Sequence, residues 1–260
     1  MDVSFLIPTL EKLESGSNLQ KVVDSINAQP TKYTYEICIY SPHPAEGKNV
    51  RWIEEKNMLG PLYGFTYMFQ HGSDGEYVII AVDDHQFVTP FDYAIDKLKS
   101  QQFENRKFKI CSLSTNDGQV QPLPLEGVRF GNILSMKDGG WPQGITMRFP
   151  VGHRDTINDL LNGHIFHPEC RYHAGDIWLG CYLSFMGEPG LECLESRIQS
   201  IPGGMKNFEW EVADANTVYA LVKGWLSGGR DYVAPERPMQ SPGRYHLIRD
   251  NRPYIEGYPT

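Results

Sequence analysis

Apolar residues in the first half of the chain alternate between two spacings. Short, largely apolar runs occur at Val3 to Ile7, Tyr35 to Tyr40, Val50 to Ile53, Tyr77 to Val82 and Phe108 to Leu113. Runs of this length, rich in β-branched and aromatic side chains, read as strands buried on both faces. Between them the spacing becomes helical. Leu19, Val22, Val23 and Ile26 fall at i, i+3, i+4 and i+7, which is one face of a helix. Ser17 followed by Gln20 is a capping-box pattern for its start, and Gln29-Pro30 ends it. Leu62, Phe65, Met68 and Phe69 give a second helix its apolar face, with Pro61 in the first turn where proline is tolerated. Phe91, Ala94, Ile95 and Leu98 mark a third. Strand, helix, strand at this spacing is a βαβ unit with parallel strands. Its repetition predicts an α/β chain built on a doubly wound, mostly parallel sheet with helices on both faces.

The pattern changes after Asn116. Pro122, Pro124, Gly131, Gly139-Gly140, Trp141-Pro142 and Gly144 punctuate short pieces at Val128 to Phe130, Ile133 to Met136 and Ile145 to Phe149. This predicts a smaller antiparallel region. Ile157, Leu160 and Leu161 mark a short helix. Asp176 opens another, on which Trp178, Cys181, Tyr182 and Phe185 share a face. Ala215, Val218, Tyr219 and Val222 mark a last one, and the stretch from Tyr232 has no period. The organisation expected is an α/β half over 1–115, a second half of the same domain over 116–230, and a C-terminal flap or tail over 231–260.

Composition narrows the function classes. Lys plus Arg is 24 and Asp plus Glu is 32 in 260 residues, so the formal charge is −8. No long basic run is present, which argues against a nucleic-acid partner bound by charge. The five cysteines are scattered and form no C-x-x-C pair, so neither a zinc site nor a disulfide framework is indicated. Reduced, cytoplasmic thiols are the simplest account. Met1-Asp2-Val3-Ser4 has no signal-peptide character, and no apolar run reaches the roughly 18 residues of a transmembrane segment. The expectation is a cytoplasmic protein, free or peripheral to a membrane.

The candidate chemistry sits in Gly75 to His85. The apolar run from Tyr77 to Val82 stops abruptly at Asp83, Asp84 and His85. Parallel sheets place ligands at the carboxyl ends of their strands. Two carboxylates and an imidazole there suit Mn²⁺, Mg²⁺ or a later first-row metal. The alternative is that the two acids only terminate a strand in a turn and cap the helix near Phe91.

The order Ile7-Pro8-Thr9, Tyr35-Glu36-Ile37, Asn57-x-x-Gly60, Gly75-Glu76-Tyr77 and Val82-Asp83-Asp84-His85 resembles the nucleotide-sugar domain of GT-A-fold glycosyltransferases. It is closest in kind to the large inverting family that includes many bacterial polysaccharide synthases, over roughly residues 2–115. The resemblance implies a nucleotide-diphosphate sugar donor, UDP in the first instance, a divalent metal, and a carbohydrate or other hydroxyl acceptor. The family's Asp-x-Asp motif falls on Asp83-Asp84-His85, so Asp83 and His85 are expected to hold the metal and Asp83 and Asp84 to meet the nucleotide. Imidazole makes Mn²⁺ the first choice and Mg²⁺ the second. Pro8, Thr9, Glu11, Asn57 and Gly60 take the remaining donor-contact positions. The second strand of relatives ends in an acid that reads the base; here it ends in Ser41-Pro42-His43-Pro44, and Glu11 stands in reserve for that role.

The resemblance also implies a base for the acceptor hydroxyl. Gly175-Asp176-Ile177-Trp178 matches the acidic motif that opens a helix in the second half, with Gly175 in place of the first acid. Asp176 is either the general base or a helix-start acid that complements the dipole. A third metal ligand is expected from His246, with His164, His167 and His173 in competition. Trp141 and Trp178 are the acceptor-binding candidates, against ordinary burial. Two other functions remain open: a binding module that kept the fold without catalysis, and a nucleotidyltransferase. The second normally carries a Gly-rich, Arg-containing loop after the first strand, which Ile7-Pro8-Thr9-Leu10-Glu11-Lys12 lacks.

Overall fold

Each apolar run of the first half becomes a strand and each helical stretch a helix. In the computed structural model the chain runs β1 (Val3–Pro8), α1 (Asn18–Ala28), β2 (Tyr35–Ser41), β3 (Val50–Glu54), α2 (Pro61–Tyr67), β4 (Tyr77–Ile80), β5 (His85–Phe87), α3 (Asp92–Ser100), β6 (Ile110–Thr115), β7 (Val128–Gly131), β8 (Ser135–Met136), β9 (Pro142–Gln143), β10 (Pro150–His153), α4 (Arg154–Leu161) and β11 (Gly190–Ser200). A π-helical turn, Met68–Gly72, extends α2. The structure describes residues 1–57, 59–100, 109–115, 128–131, 135–136, 142–143, 149–161, 163–166, 175–176, 179, 183 and 190–202.

The sheet order is β3-β2-β1-β4-β10-β6-β11-β5, with β7 also paired to β11. β1, β2, β3, β4, β6 and β11 run one way; β10, β5 and β7 run against them. The sheet is therefore mostly parallel, as the βαβ spacing predicts. The chain leaves β1 to build β2 and β3 on one side and returns to β4 on the other. That reversal puts a crevice between the carboxyl ends of β1 and β4, where ligands bind in open α/β sheets.

Helices cover both faces. Ser17 caps α1 by accepting the Gln20 amide at 3.0 Å, as the capping-box pattern requires. Leu19, Val22, Val23 and Ile26 of α1, with Ala94, Ile95 and Leu98 of α3, pack on Val3, Phe5, Ile7, Ile37, Ile39 and Ile79. The Phe5 ring meets Phe87 at 5.3 Å and Phe91 at 4.9 Å, both edge to face, a favoured aromatic geometry. The opposite face carries α2 and α4. Gly64 lies so close to the ends of β1 and β2 that a Cβ there would be 2.8 Å from Tyr40 Cδ1 and 2.9 Å from Pro8 Cβ.

Three features depart from the sequence reading. The run to Val82 is a strand only to Ile80; the chain turns at Asp83-Asp84, and His85–Phe87 starts a new strand antiparallel to β11. β10 enters antiparallel between β4 and β6. β11 itself is an 11-residue strand that the apolar pattern does not announce. Its register shifts between Cys193 and Arg197, and a bulge there breaks the period of two on which strand recognition rests. The final helix marked by Ala215 to Val222 lies outside the described residues. Among the described residues no helix is long and apolar enough to cross a membrane.

Gly75 at the entrance to β4 gives the sharpest test of this packing. A Cβ there would lie 2.4 Å from the Ser4 backbone nitrogen, and backbone cannot swing away. Gly75→Ala is expected to cost about 3 kcal/mol, read from urea unfolding; a change under about 0.5 kcal/mol would contradict the close approach of β4 to β1.

Candidate functional site

The crevice between β1 and β4 is where the sheet's polar groups gather. Thr9 leaves β1 with its amide bonded to Tyr40 O at 3.0 Å, and its side chain is buried. Its hydroxyl donates to Asp83 Oδ2. The Glu11 amide donates to Thr9 Oγ1 at 2.9 Å, and Glu11 Oε2 accepts the Leu19 amide at 3.0 Å in the first turn of α1. Pro8, Thr9, Glu11 and Asp83 are therefore brought together at one strand edge. Burial pushes the Asp83 carboxyl up to about 6; the Asp84 and Glu11 charges push the same way, and the Thr9 hydrogen bond pulls back. An ionised carboxylate in such surroundings costs stability.

Asp84 and His85 form the next layer. Asp84 Oδ1 lies 2.7 Å from His85 Nδ1. A carboxylate oxygen accepts, so Nδ1 is the donor of this pair, and in the neutral imidazole Nε2 keeps its lone pair. The ring stacks at a tilt on Phe149, 4.9 Å between centroids. The backbone on both sides is held: Ile201 N donates to Asp84 O at 2.6 Å, and His85 pairs with Ser200. The outer edge of β5 is closed by α1, where Ser25 Oγ accepts the Phe87 amide at 2.9 Å and Gln29 Nε2 donates to Phe87 O at 3.0 Å.

Among the described residues no group of three or more His, Cys, Asp or Glu side chains converges as a complete metal cage. The donor chemistry still fits a divalent ion shared with a substrate. Such ions are commonly held by one or two protein groups plus substrate phosphates, and a ligating imidazole normally donates its other nitrogen to a carboxylate, as His85 does to Asp84.

Asp176 follows Gly175 in a helical turn that packs on the start of α2. Gly175, helical like Asp176, lies against Phe166 and Leu62; a Cβ there would be 2.7 Å from Phe166 Cδ1 and 3.0 Å from Leu62 Cδ1. Leu62 is in the first turn of α2, whose Gly64 sits on Pro8 and Tyr40 at the ends of β1 and β2. The missing acid at 175 has no room in this packing. Gly60 precedes α2 with a positive φ of 98° and is buried; Asn57 is exposed in the loop before it. His164 is buried, and that burial lowers its imidazole to about 4. Trp141, Trp178, His167, His173 and His246 lie outside the described residues.

One edge residue escaped the sequence reading. Glu55 follows β3, its amide donates to Ser41 O at 3.1 Å, and its side chain is buried, which raises its carboxyl. Glu54-Glu55 after the run Val50 to Ile53 repeats the signal of Asp83-Asp84 after Tyr77 to Val82. It places an acid beside the end of β2, where Ser41-Pro42-His43-Pro44 supplies none.

No family model matches the sequence, and no curated protein does. Solved structures do match in fold. The S. aureus TarS 1-349 structure in complex with UDP-GlcNAc superposes with a TM-score of 0.57 at 13% identity, over 85% of this chain and 65% of that one. S. aureus TarS superposes at 0.57 and 14% identity, over 85% and 39% of the two chains. GalNAc-T7 with UDP, GalNAc and Mn²⁺ superposes at 0.60 and 12% identity, over 87% and 49%. The chain spans less than two thirds of the length of each. The fold is that of GT-A-like glycosyltransferases.

Because the folded-state pKa of Asp83 is raised, its contribution to stability is fully present below about 3.8 and is lost as pH rises through about 6. Asp83→Asn without metal is therefore expected to gain about 2–3 kcal/mol on wild type between pH 4 and pH 8, measured by urea unfolding. A pH-independent difference would show that the carboxyl is not buried as described.

Proposed function

We propose that this chain transfers a sugar from a nucleotide-diphosphate sugar, with UDP as the nucleotide, to an acceptor hydroxyl. The observation that carries the reading is the gathering of Thr9, Asp83, Asp84 and His85 at the crevice between β1 and β4. It is supported by the fold likeness to structures of TarS in complex with UDP or UDP-GlcNAc and of GalNAc-T7 with UDP, GalNAc and Mn²⁺.

In this reading Asp83 and His85 would hold a divalent ion, Mn²⁺ before Mg²⁺, with His246 as the proposed third ligand. The ion supplies neutralisation of the charge that builds on the leaving diphosphate. Asp84 orients His85 through Nδ1 and keeps Nε2 available. Pro8, Glu11, Asn57 and Gly60 border the donor. Asp176 is the proposed base that takes the proton from the acceptor hydroxyl. That hydroxyl attacks the anomeric carbon from the face opposite the diphosphate, so the configuration inverts. Trp141 and Trp178 are the proposed acceptor contacts.

Donor hydrolysis tests the assignment without an identified acceptor. With Mn²⁺ the wild type is expected to release UDP from at least one UDP-sugar, and chelator to abolish release. His85→Ala and Asp83→Ala are each expected to reduce it at least a hundredfold, about 2.7 kcal/mol of transition-state stabilisation. Unchanged release in both variants would remove the metal assignment. UDP binding with no release from any sugar donor would favour a non-catalytic module.

A further inference from the structure

A hydroxyl has one proton to give, and the structure accounts for the one on Thr9. Thr9 Oγ1 accepts the Glu11 amide at 2.9 Å and donates to Asp83 Oδ2. Glu11 is itself tied down, since its carboxylate accepts the Leu19 amide at 3.0 Å. Thr9 is 5% exposed, and its backbone is pinned to Tyr40 across the β1–β2 pair. The start of α1, the end of β1 and the Asp83 carboxylate thus form one continuous hydrogen-bonded line. Among the described residues, the acceptors of that line with no bond to another residue are Asp83 Oδ1 and Glu11 Oε1.

We propose that Thr9 is a positioning residue: its hydroxyl holds Asp83 Oδ2, dedicates Oδ1 to the donor side, and makes no contact with the nucleotide. The inference rests on the nucleotide-sugar reading of this edge and changes the direct contact expected for Thr9 from the sequence. It also gives Glu11 a different task from base recognition, because its amide sets the direction of the Thr9 hydroxyl and its carboxylate caps α1. What position 9 requires is then a hydroxyl donor at that height, not the shape of threonine.

The test is a double-mutant cycle read by calorimetric titration of UDP in the presence of Mn²⁺. Thr9→Ser keeps the donor and is expected to bind within about threefold of wild type. Thr9→Val keeps the shape and loses the donor; a hydrogen bond to a charged group corresponds to roughly ten- to hundredfold weaker binding. In an Asp83→Asn background the same Thr9→Val change is expected to alter affinity less than about twofold, because the group it acts through has gone. Thermal unfolding of each variant checks that the fold is kept, and Thr9→Ala replaces Thr9→Val if the valine is not accommodated. Equal losses from Thr9→Val with and without Asp83 would overturn the inference in favour of a direct nucleotide contact. Wild-type binding by Thr9→Val, or equal losses in Thr9→Ser and Thr9→Val, would overturn it too. A wild type that binds neither UDP nor any other nucleoside diphosphate would overturn the functional reading and this inference with it.

Discussion

A strand buried on both faces and paired along both edges has nowhere to put polar groups except its ends. β1 is such a strand: all six of its residues are buried, and β2 and β4 flank it in parallel. Its backbone donors and acceptors are used in the two ladders, and the first polar side chain after it is Thr9. The parallel neighbour β4 ends level with Leu6, two residues short of the end of β1, and the first acid after β4 is Asp83. Their meeting follows from register: Leu6 pairs with Ile80, and Ala81 N donates to Leu6 O at 3.0 Å. The same core fixes the segment beyond. Phe87, two residues after His85, is held edge to face on Phe5 of β1. The position of the acidic turn is thus a consequence of how the hydrophobic core is filled.

That turn is costly. A carboxylate pushed up to about 6 by burial and by its acidic neighbours works against folding at neutral pH. The Thr9 hydroxyl limits the cost, and among the described residues no Arg or Lys neutralises the charge. A cation arriving with a substrate would relieve it. Stability given up at one point of an otherwise well-packed sheet agrees with the proposed site for a metal–diphosphate pair.

The legible parts of the fold were those with an undisturbed period. α1 was readable from Leu19, Val22, Val23 and Ile26, all of which are buried, and from Ser17, which caps it. β11 was not, because its bulge scrambles the alternation and its run carries Glu192, Glu195 and Arg197. At the site, Asp83-Asp84-His85 stood out because an apolar run ended on it. Glu55 has the same signature after a shorter and more polar run. That His85 starts a reversed strand leaning on Ser200 could not be read, since it depends on a partner more than 100 residues away. The absent acid at Gly175 was visible in sequence; its reason, a helix pressed on Phe166 and Leu62, was not.

The central claim is a place: a metal–nucleotide complex over the carboxyl ends of β1 and β4. Paramagnetic broadening of backbone amide signals by Mn²⁺ locates such a complex directly. The account predicts that Mn²⁺ with UDP selectively broadens residues 9–11 and 82–86, and that Mn²⁺ without nucleotide does so weakly, because the protein supplies only part of the ligand set. Broadening centred on another part of the sheet, or the same broadening with and without UDP, would contradict it.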